Sequence, residues 1–592
     1  MRSSSGPSWQ HIGVPRPTKF VQMTRETRYI IVIMLALVVL GLWQHLYFSY
    51  TVGEFAFFKN AFDEDTYILF PFGLAGVRPD RLLSGAIVSG LLWPSHVSYA
   101  FALTAMDALL PPLIFLAAYY AGATIFAKFS ARCLFAFVLV FSTDLFSLGS
   151  VASYPGPFPT LEQFKALVGA EFVPPFETSY LGLYRSPEPQ VSYVVGYLFA
   201  GLLLRILLRS GQYLSRRKIA AVVLVQVLLM TCYALVAYPF FIVEGLAAGI
   251  LFLVARHRAA TTLAISFIMS IVLAMIIALT TLGSSTSFVF NSHLPVITVG
   301  VLAALTLTVL YLLLLLRGGR ADPRLLTGLA FAVVPLALTN QQIFTGWMTS
   351  TREWERYVDL PFVVISAGVL ISNFPSRKRF ATPAIGLATI AISGFVCASS
   401  ERTYGFWLPD NLKSLAIARA VTAAGTSLDD SVLVLDEPEY APLVETRLGR
   451  PLHALLDYTD TFKTPVVSTS EPGHGALAEA LFEYWRQTRV SPESARRILE
   501  QEARDRNGYY SGFLFDHCEY WYPCTDGRSV KTEKIMASIP SVIDSYAAYL
   551  AKPAPARKFA FVTSKFPSVP PKAIAISEGR AASVTAGISL EN

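Results

Sequence analysis

Apolar runs of membrane-spanning length, separated by short polar connections, dominate the first two thirds of the chain. A bilayer's hydrocarbon core takes about 20 apolar residues of helix, fewer where the bilayer thins and more where the helix tilts. On that measure runs fall at about 28–48, 97–126, 131–150, 190–209, 219–239, 241–256, 260–282, 295–316, 325–340, 359–374 and 382–398, about eleven spans. Leu82–Trp93 is apolar but too short to cross, and fits a helix lying in the interface. From about Glu401 the pattern changes. Charged residues return, apolar runs shorten, and Ser431–Leu435 reads as a buried strand ending in a loop. Segments 476–488 and 492–503 have helical periodicity. The chain thus divides into an N-terminal segment 1–27, a membrane domain 28–399 whose first outer loop is 49–96, and a soluble α/β domain 400–592.

Basic residues test this set independently. Lys128/Arg132, Arg209/Arg216/Arg217/Lys218, Arg256/His257/Arg258, Arg317/Arg320/Arg324 and Arg377/Lys378/Arg379 occupy alternate connections. All fall on the side of the basic N-terminal segment if every span is real, so the positive-inside rule places the N-terminus inside and the C-terminal domain outside. The fold class expected is a polytopic α-helical membrane protein, N-in and C-out, with an extracytoplasmic C-terminal α/β domain, in the cell's inner membrane.

Composition agrees: 53% of the residues are hydrophobic and 15% charged, against about a quarter charged in a soluble domain. The net charge of +7 comes from the loop clusters and is no sign of nucleic acid. The first apolar run follows a long polar lead without a small-residue cleavage site, and reads as a retained anchor. Walker, HExxH and GxSxG motifs are missing, which disfavours ATP-driven transport and hydrolysis of those types.

The chemistry concentrates in the first outer loop. Asp63, Glu64 and Asp65 stand side by side among Phe55, Phe57, Phe58, Phe62, Tyr67 and Phe70. Three adjacent carboxylates raise the proton affinity of at least one of them, toward a useful general base. A hydrated acidic loop is the plainer alternative. On the same side lie Arg78, Arg81, Arg185, Arg352 and Arg356, which suit an anionic ligand such as a phosphate, or ordinary interfacial anchoring. Within the spans Asp107, Asp144 and Glu244 need partners, since an acid at mid-bilayer costs roughly 2.5–3.5 kcal/mol; they line one cavity or pair within the bundle. Cys518 and Cys524, close together on the oxidising side, favour a disulfide over a metal site, because His517 and Glu519 are the only further ligands nearby.

This layout resembles the GT-C superfamily of membrane glycosyltransferases. Phe62-Asp63-Glu64 is similar to the Asp-Glu motif in the first outer loop of protein O-mannosyltransferases, and the segment from Glu439 to Pro451 is similar to one in the outer domains of bacterial members. The chain lacks the WWD-type motif of oligosaccharyltransferases, which sets it apart from en bloc transfer to asparagine. The resemblance implies transfer of a sugar from a polyprenyl-phosphate donor to a lipid, glycan or protein acceptor on the outer face, with Asp63 as base and a divalent metal left open. Two other readings compete. A polysaccharide polymerase or ligase acting on lipid-linked glycans would keep its soluble mass between spans. A non-enzymatic lipid or solute transporter would need a charged path through the bundle.

Overall fold

A computed structural model describes residues 25–58, 82–92, 98–142, 188–209, 214–281, 290–291, 299–318, 322–345, 347–348, 355–373, 378–423, 431–435, 441–448, 453–454, 482, 485–486, 489–505, 532–553, 558–563 and 574–575. These residues are predominantly helical, as expected of a helical membrane protein.

Helix α1 (Arg25–Val52) stops at Gly53, whose φ of 78° is the left-handed conformation that glycine adopts without a Cβ penalty. The short α2 (Leu82–Leu92) occupies the run read as interfacial. It is followed by α3 (Tyr99–Ile125), α4 (Phe129–Val140) and α5 (Gln190–Arg209). Beyond them come α6 (Arg216–Met230), α7 (Ala234–Leu253) and α8 (His257–Thr281). Next are α9 (Val299–Gly318), α10 (Pro323–Thr339) and the single turn α11 (Gln342–Thr345). A π-helical turn over Glu355–Asp359 leads into α12 (Leu360–Ser372). Among the described residues, five helices are long and apolar enough to cross a membrane: α1, α3, α5, α7 and α9.

Two boundaries differ from the sequence reading. The turn expected near 238–241 lies at Thr231–Tyr233, and Pro239 sits inside α7. Hydrogen bonds rather than a breaker residue make this turn. Thr231 Oγ1 donates to Leu228 O at 2.8 Å, and the N–H of Tyr233 donates to Ser192 Oγ of α5 at 2.9 Å. Helix α13 (Lys378–Ala423) does not end near 398 but continues through the change of composition at Glu401. Packing on α1 sustains it: Trp43 Nε1 donates to Ser400 Oγ at 2.7 Å and Gln44 Nε2 to Ser400 O at 2.8 Å.

Beyond α13, β3 (Ser431–Leu435) forms where a strand was expected. It lies in a parallel sheet of order β4-β3-β5-β6 with β4 (His453–Ala454), β5 (Lys558–Thr563) and β6 (Ile574–Ala575). Helices α14 (Ala441–Leu448), α15 (Pro492–Asp505) and α16 (Thr532–Leu550) belong to the same part of the chain. Two-residue strands β1 (Phe290–Asn291) and β2 (Trp347–Met348) pair antiparallel and join the connection after α8 to that after α11. The main apolar core runs through α3, α4, α5, α7, α10 and α12, with Phe115, Phe141, Tyr197, Phe199, Phe331 and Phe362 buried in it.

Candidate functional site

Most residues singled out in the sequence lie outside the described residues: Asp63, Glu64, Asp65, Arg78, Arg81, Asp144, Arg185, Arg352, Cys518 and Cys524. Arg356 is in the π-helical turn before α12. The surroundings of the acid loop are described, because the chain is seen up to Phe58 and again from Leu82.

The stem of that loop is held from several directions. Ser49 Oγ closes the reversal after α1, donating to Ala56 O at 3.2 Å and accepting from Ala56 N–H at 3.0 Å. Ala56, Phe57 and Phe58 are buried. Phe58 stacks on Tyr404 of α13, ring centroids 4.5 Å apart, and meets Phe48 edge-on at 5.3 Å. Phe57 stacks on His45 at 4.9 Å. Its side chain also enters an apolar cluster with Val88 of α2, Leu103, Met106 and Leu110 of α3 and Val191 of α5. The acid loop therefore leaves from, and returns to, one apolar cluster.

The polar contacts centre on a buried pair. The N–H of Phe58 donates to His45 Nδ1 at 3.1 Å, so the ring's proton is on Nε2, which donates to Asp107 Oδ2 at 2.9 Å. Both side chains are almost fully buried, at 0% and 2% exposure. Asp107 thus finds a partner across the α1–α3 contact, about two turns from the end of α3 nearest the acid loop. Helix packing allows this because α1 carries Gly41 where it crosses α3. A Cβ there would sit 2.1 Å from the Asp107 carbonyl oxygen.

From the other side comes Arg447, in the last turn of α14. Its Nη1 donates to Phe57 O at 2.9 Å, Nε to Ser414 Oγ at 2.9 Å, and Nη2 to Asn411 O at 3.1 Å and Oδ1 at 2.9 Å. The guanidinium lies over the Phe48 ring, 5.4 Å from its centroid. Burial, with the like charge of Arg419 adding and Glu54 opposing, pushes Arg447 down to about 9, which leaves it protonated at neutral pH. At the surface Arg419 pairs with Glu54 at 2.9 Å; each side chain is about half exposed, so this contact contributes little.

Two further carboxyls, at loop-side helix ends, were not picked out from the sequence. Glu188, three residues after Arg185, accepts from Ser84 Oγ of α2 and, at 2.5 Å, from Ser192 Oγ of α5. With Leu83 N donating to Thr231 O at 3.0 Å, it fixes the start of α2 against α5 and the α6–α7 turn. Asp359, three residues after Arg356, accepts from Thr339 Oγ1 at 2.8 and 2.9 Å. Tyr193 OH donates to Tyr357 O at 3.3 Å, linking this turn to α5.

Glu244 is different. The shifted α6–α7 turn places it mid-way along α7. Gln226 Nε2 of α6 donates to both its oxygens at 2.6 Å, and Ser266 Oγ of α8 donates to Gln226 Oε1 at 2.7 Å. Glu244 and Asp107 are therefore taken up by separate partners within the bundle. Among the described residues no three potential metal-ligating side chains come together.

His45 and Gln44, polar side chains in an apolar span, were not picked out from the sequence. Arg447 lies inside the Glu439–Pro451 segment but carried no assigned role. No protein-family model and no curated protein matches the chain.

Proposed function

We propose that the protein is a membrane glycosyltransferase that moves a sugar from a polyprenyl-phosphate donor to an acceptor at the outer face of the membrane, with Asp63 as catalytic base. The observation that carries this reading is the investment around the stem of the acid loop. A hydrated acidic loop needs no buried support. Here a His–Asp pair and an arginine, whose desolvation costs several kcal/mol per buried ion, converge on a peptide five residues before Asp63. Ionisable groups placed so deep in a helical bundle mark functional sites more often than not.

In this reading the acceptor hydroxyl oxygen attacks the anomeric carbon as its proton passes to the Asp63 carboxylate. The bond from that carbon to the phosphate oxygen breaks, and the electron pair leaves with the polyprenyl phosphate. Glu64 and Asp65 orient the acceptor or raise the basicity of Asp63. The leaving phosphate needs fixed positive charge, for which Arg78, Arg81, Arg185, Arg352 and Arg356 are the candidates. The anchoring of α2, Glu188 and Asp359 supports this, since these described residues are joined to one another through α5 and the arginines stand close to them in the sequence. The reading carries with it about eleven spans, an inside N-terminus, an inner-membrane location and an extracytoplasmic α/β domain. Incubating the purified protein with radiolabelled polyprenyl-phosphate sugars tests it: label should pass to a lipid, glycan or protein acceptor, and free polyprenyl phosphate should accumulate.

A further inference from the structure

Arg447 and His45 come from parts of the chain some four hundred residues apart, yet both contact the peptide unit that joins Phe57 to Phe58. Its carbonyl accepts from Arg447 Nη1 at 2.9 Å and its N–H donates to His45 Nδ1 at 3.1 Å. A peptide unit has one donor and one acceptor. Both are used here, by side chains that are themselves fixed: His45 by Asp107, and Arg447 by Asn411, Ser414 and the face of Phe48. With both edges of one rigid plane held, the peptide is restrained against translation toward either partner.

We infer that Arg447 and His45 are positioning residues, which together set where the acid loop begins and so make its placement depend on the docking of α14 against α1 and α13. The arginine suits this task because its planar fork reaches four acceptors at once, which a lysine ammonium with three donors cannot do. The histidine suits it because the Asp107 contact keeps Nδ1 free of a proton and available to the Phe58 N–H. Loss of α14 from its seat would release the Phe57 carbonyl and loosen the loop without touching the acids themselves. This inference deepens the proposed glycosyltransferase reading, on which only its kinetic consequence rests.

Hydrogen–deuterium exchange of the peptide covering residues 55–62, in purified full-length protein, tests the contact itself. Arg447→Met keeps the apolar stem and removes the fork. Exchange at the Phe58 amide should quicken about tenfold, the equivalent of one charge-assisted hydrogen bond, while a peptide within α5 is unchanged. Arg447→Lys should restore part of the protection. His45→Gln retains a donor toward Asp107 but offers no acceptor at the Nδ1 position. It should produce the same local quickening, and it decides the matter if Arg447→Met does not fold. In a transfer assay both changes should lower kcat, by about tenfold, with the donor KM little altered. Unchanged exchange in both variants overturns the inference. So does quickened exchange with unaltered kcat, because the stem would then be held without placing the acids. If the unaltered protein transfers no sugar, the glycosyltransferase reading falls and the exchange experiment alone decides the contact.

Discussion

His45 and Asp107 form a buried pair across the α1–α3 contact, Nε2 to Oδ2 at 2.9 Å, although 62 residues separate them in the chain. The pair fixes two things at once. It gives the carboxyl of Asp107 a donor inside the bundle, and it selects the ring tautomer that can accept from the Phe58 N–H. A histidine in an apolar span thereby becomes part of the support for the loop that follows it.

The pair depends on how closely α1 and α3 approach. A Cβ on Gly41 would meet the Asp107 carbonyl oxygen at 2.1 Å and its carbon at 2.9 Å, and backbone atoms cannot swing aside as a side-chain tip does. Gly41→Ala should therefore push the helices apart, at a cost of about 1–3 kcal/mol or more, visible as a lower thermal midpoint in detergent. Gly249→Ala, where nothing lies within 4 Å of the added carbon, is the matched control and should leave the midpoint unchanged. Equal midpoints for the two variants would mean that α1 and α3 are not in this contact.

Glu244 tests a structural against a functional role. With Gln226 donating to both oxygens and Ser266 completing the set, the triad joins α6, α7 and α8, apart from the partners of Glu188 and Asp359 among the described residues. Gln226→Leu should destabilise by about 1–3 kcal/mol, because it leaves a buried carboxyl without its donor, whereas the Gln226→Leu/Glu244→Leu pair should recover most of the loss. Sugar transfer by the double variant should match the unaltered protein. A folded double variant that has lost transfer would make Glu244 part of the reaction.

Hydropathy alone placed α2, α3 and α5 closely, because each is an apolar run bounded by polar residues, and found α1 but ended it short of Gly53, the stop that α1 uses. It misplaced the α6–α7 turn, since Thr231–Tyr233 contains no breaker and is held by Ser192 from another helix. It also ended α13 too early, because the return of charge at Glu401 signals a change of surroundings and not the end of a helix. The acid loop was conspicuous as a cluster of like residues. Its supports were not, for His45, Asp107 and Arg447 acquire their meaning only through contacts between distant segments. Glu188 and Asp359 were passed over for the same reason: a lone acid whose serine or threonine donors lie on other helices has no signature in one sequence.

Side of the membrane is the premise of the functional reading. Single cysteines placed at 65, 185, 350 and 450 in a variant without its native cysteines should be modified in intact cells by a membrane-impermeant maleimide. Cysteines at 213 and 378 should be spared until the membrane is opened. Labelling at 213 from outside would put the acid loop on the opposite face, away from an outer-face acceptor, and the proposed reaction would have to be given up.

Asp63 is the residue on which the chemistry turns. A general base contributes about 10²–10⁴ to the rate, and Asp63→Asn keeps the shape of the side chain while removing its basicity. Transfer should fall by that factor while donor binding survives, because the donor's phosphate is assigned to the arginines. Arg185→Ala and Arg352→Ala should do the reverse, weakening donor binding through the loss of a charge-assisted contact and sparing turnover at saturating donor. The support around Phe57 and Phe58 makes the comparison with Asp65→Asn informative, since both acids follow the same fixed stem and differ only in how far along it they stand. Full transfer by Asp63→Asn together with none by Asp65→Asn would move the base two residues on, and the similarity at Phe62-Asp63-Glu64 would be fortuitous. Near-full transfer by both variants would leave the acid loop without a role in catalysis, and its buried support would then serve only to fix α1 against α13 and α14.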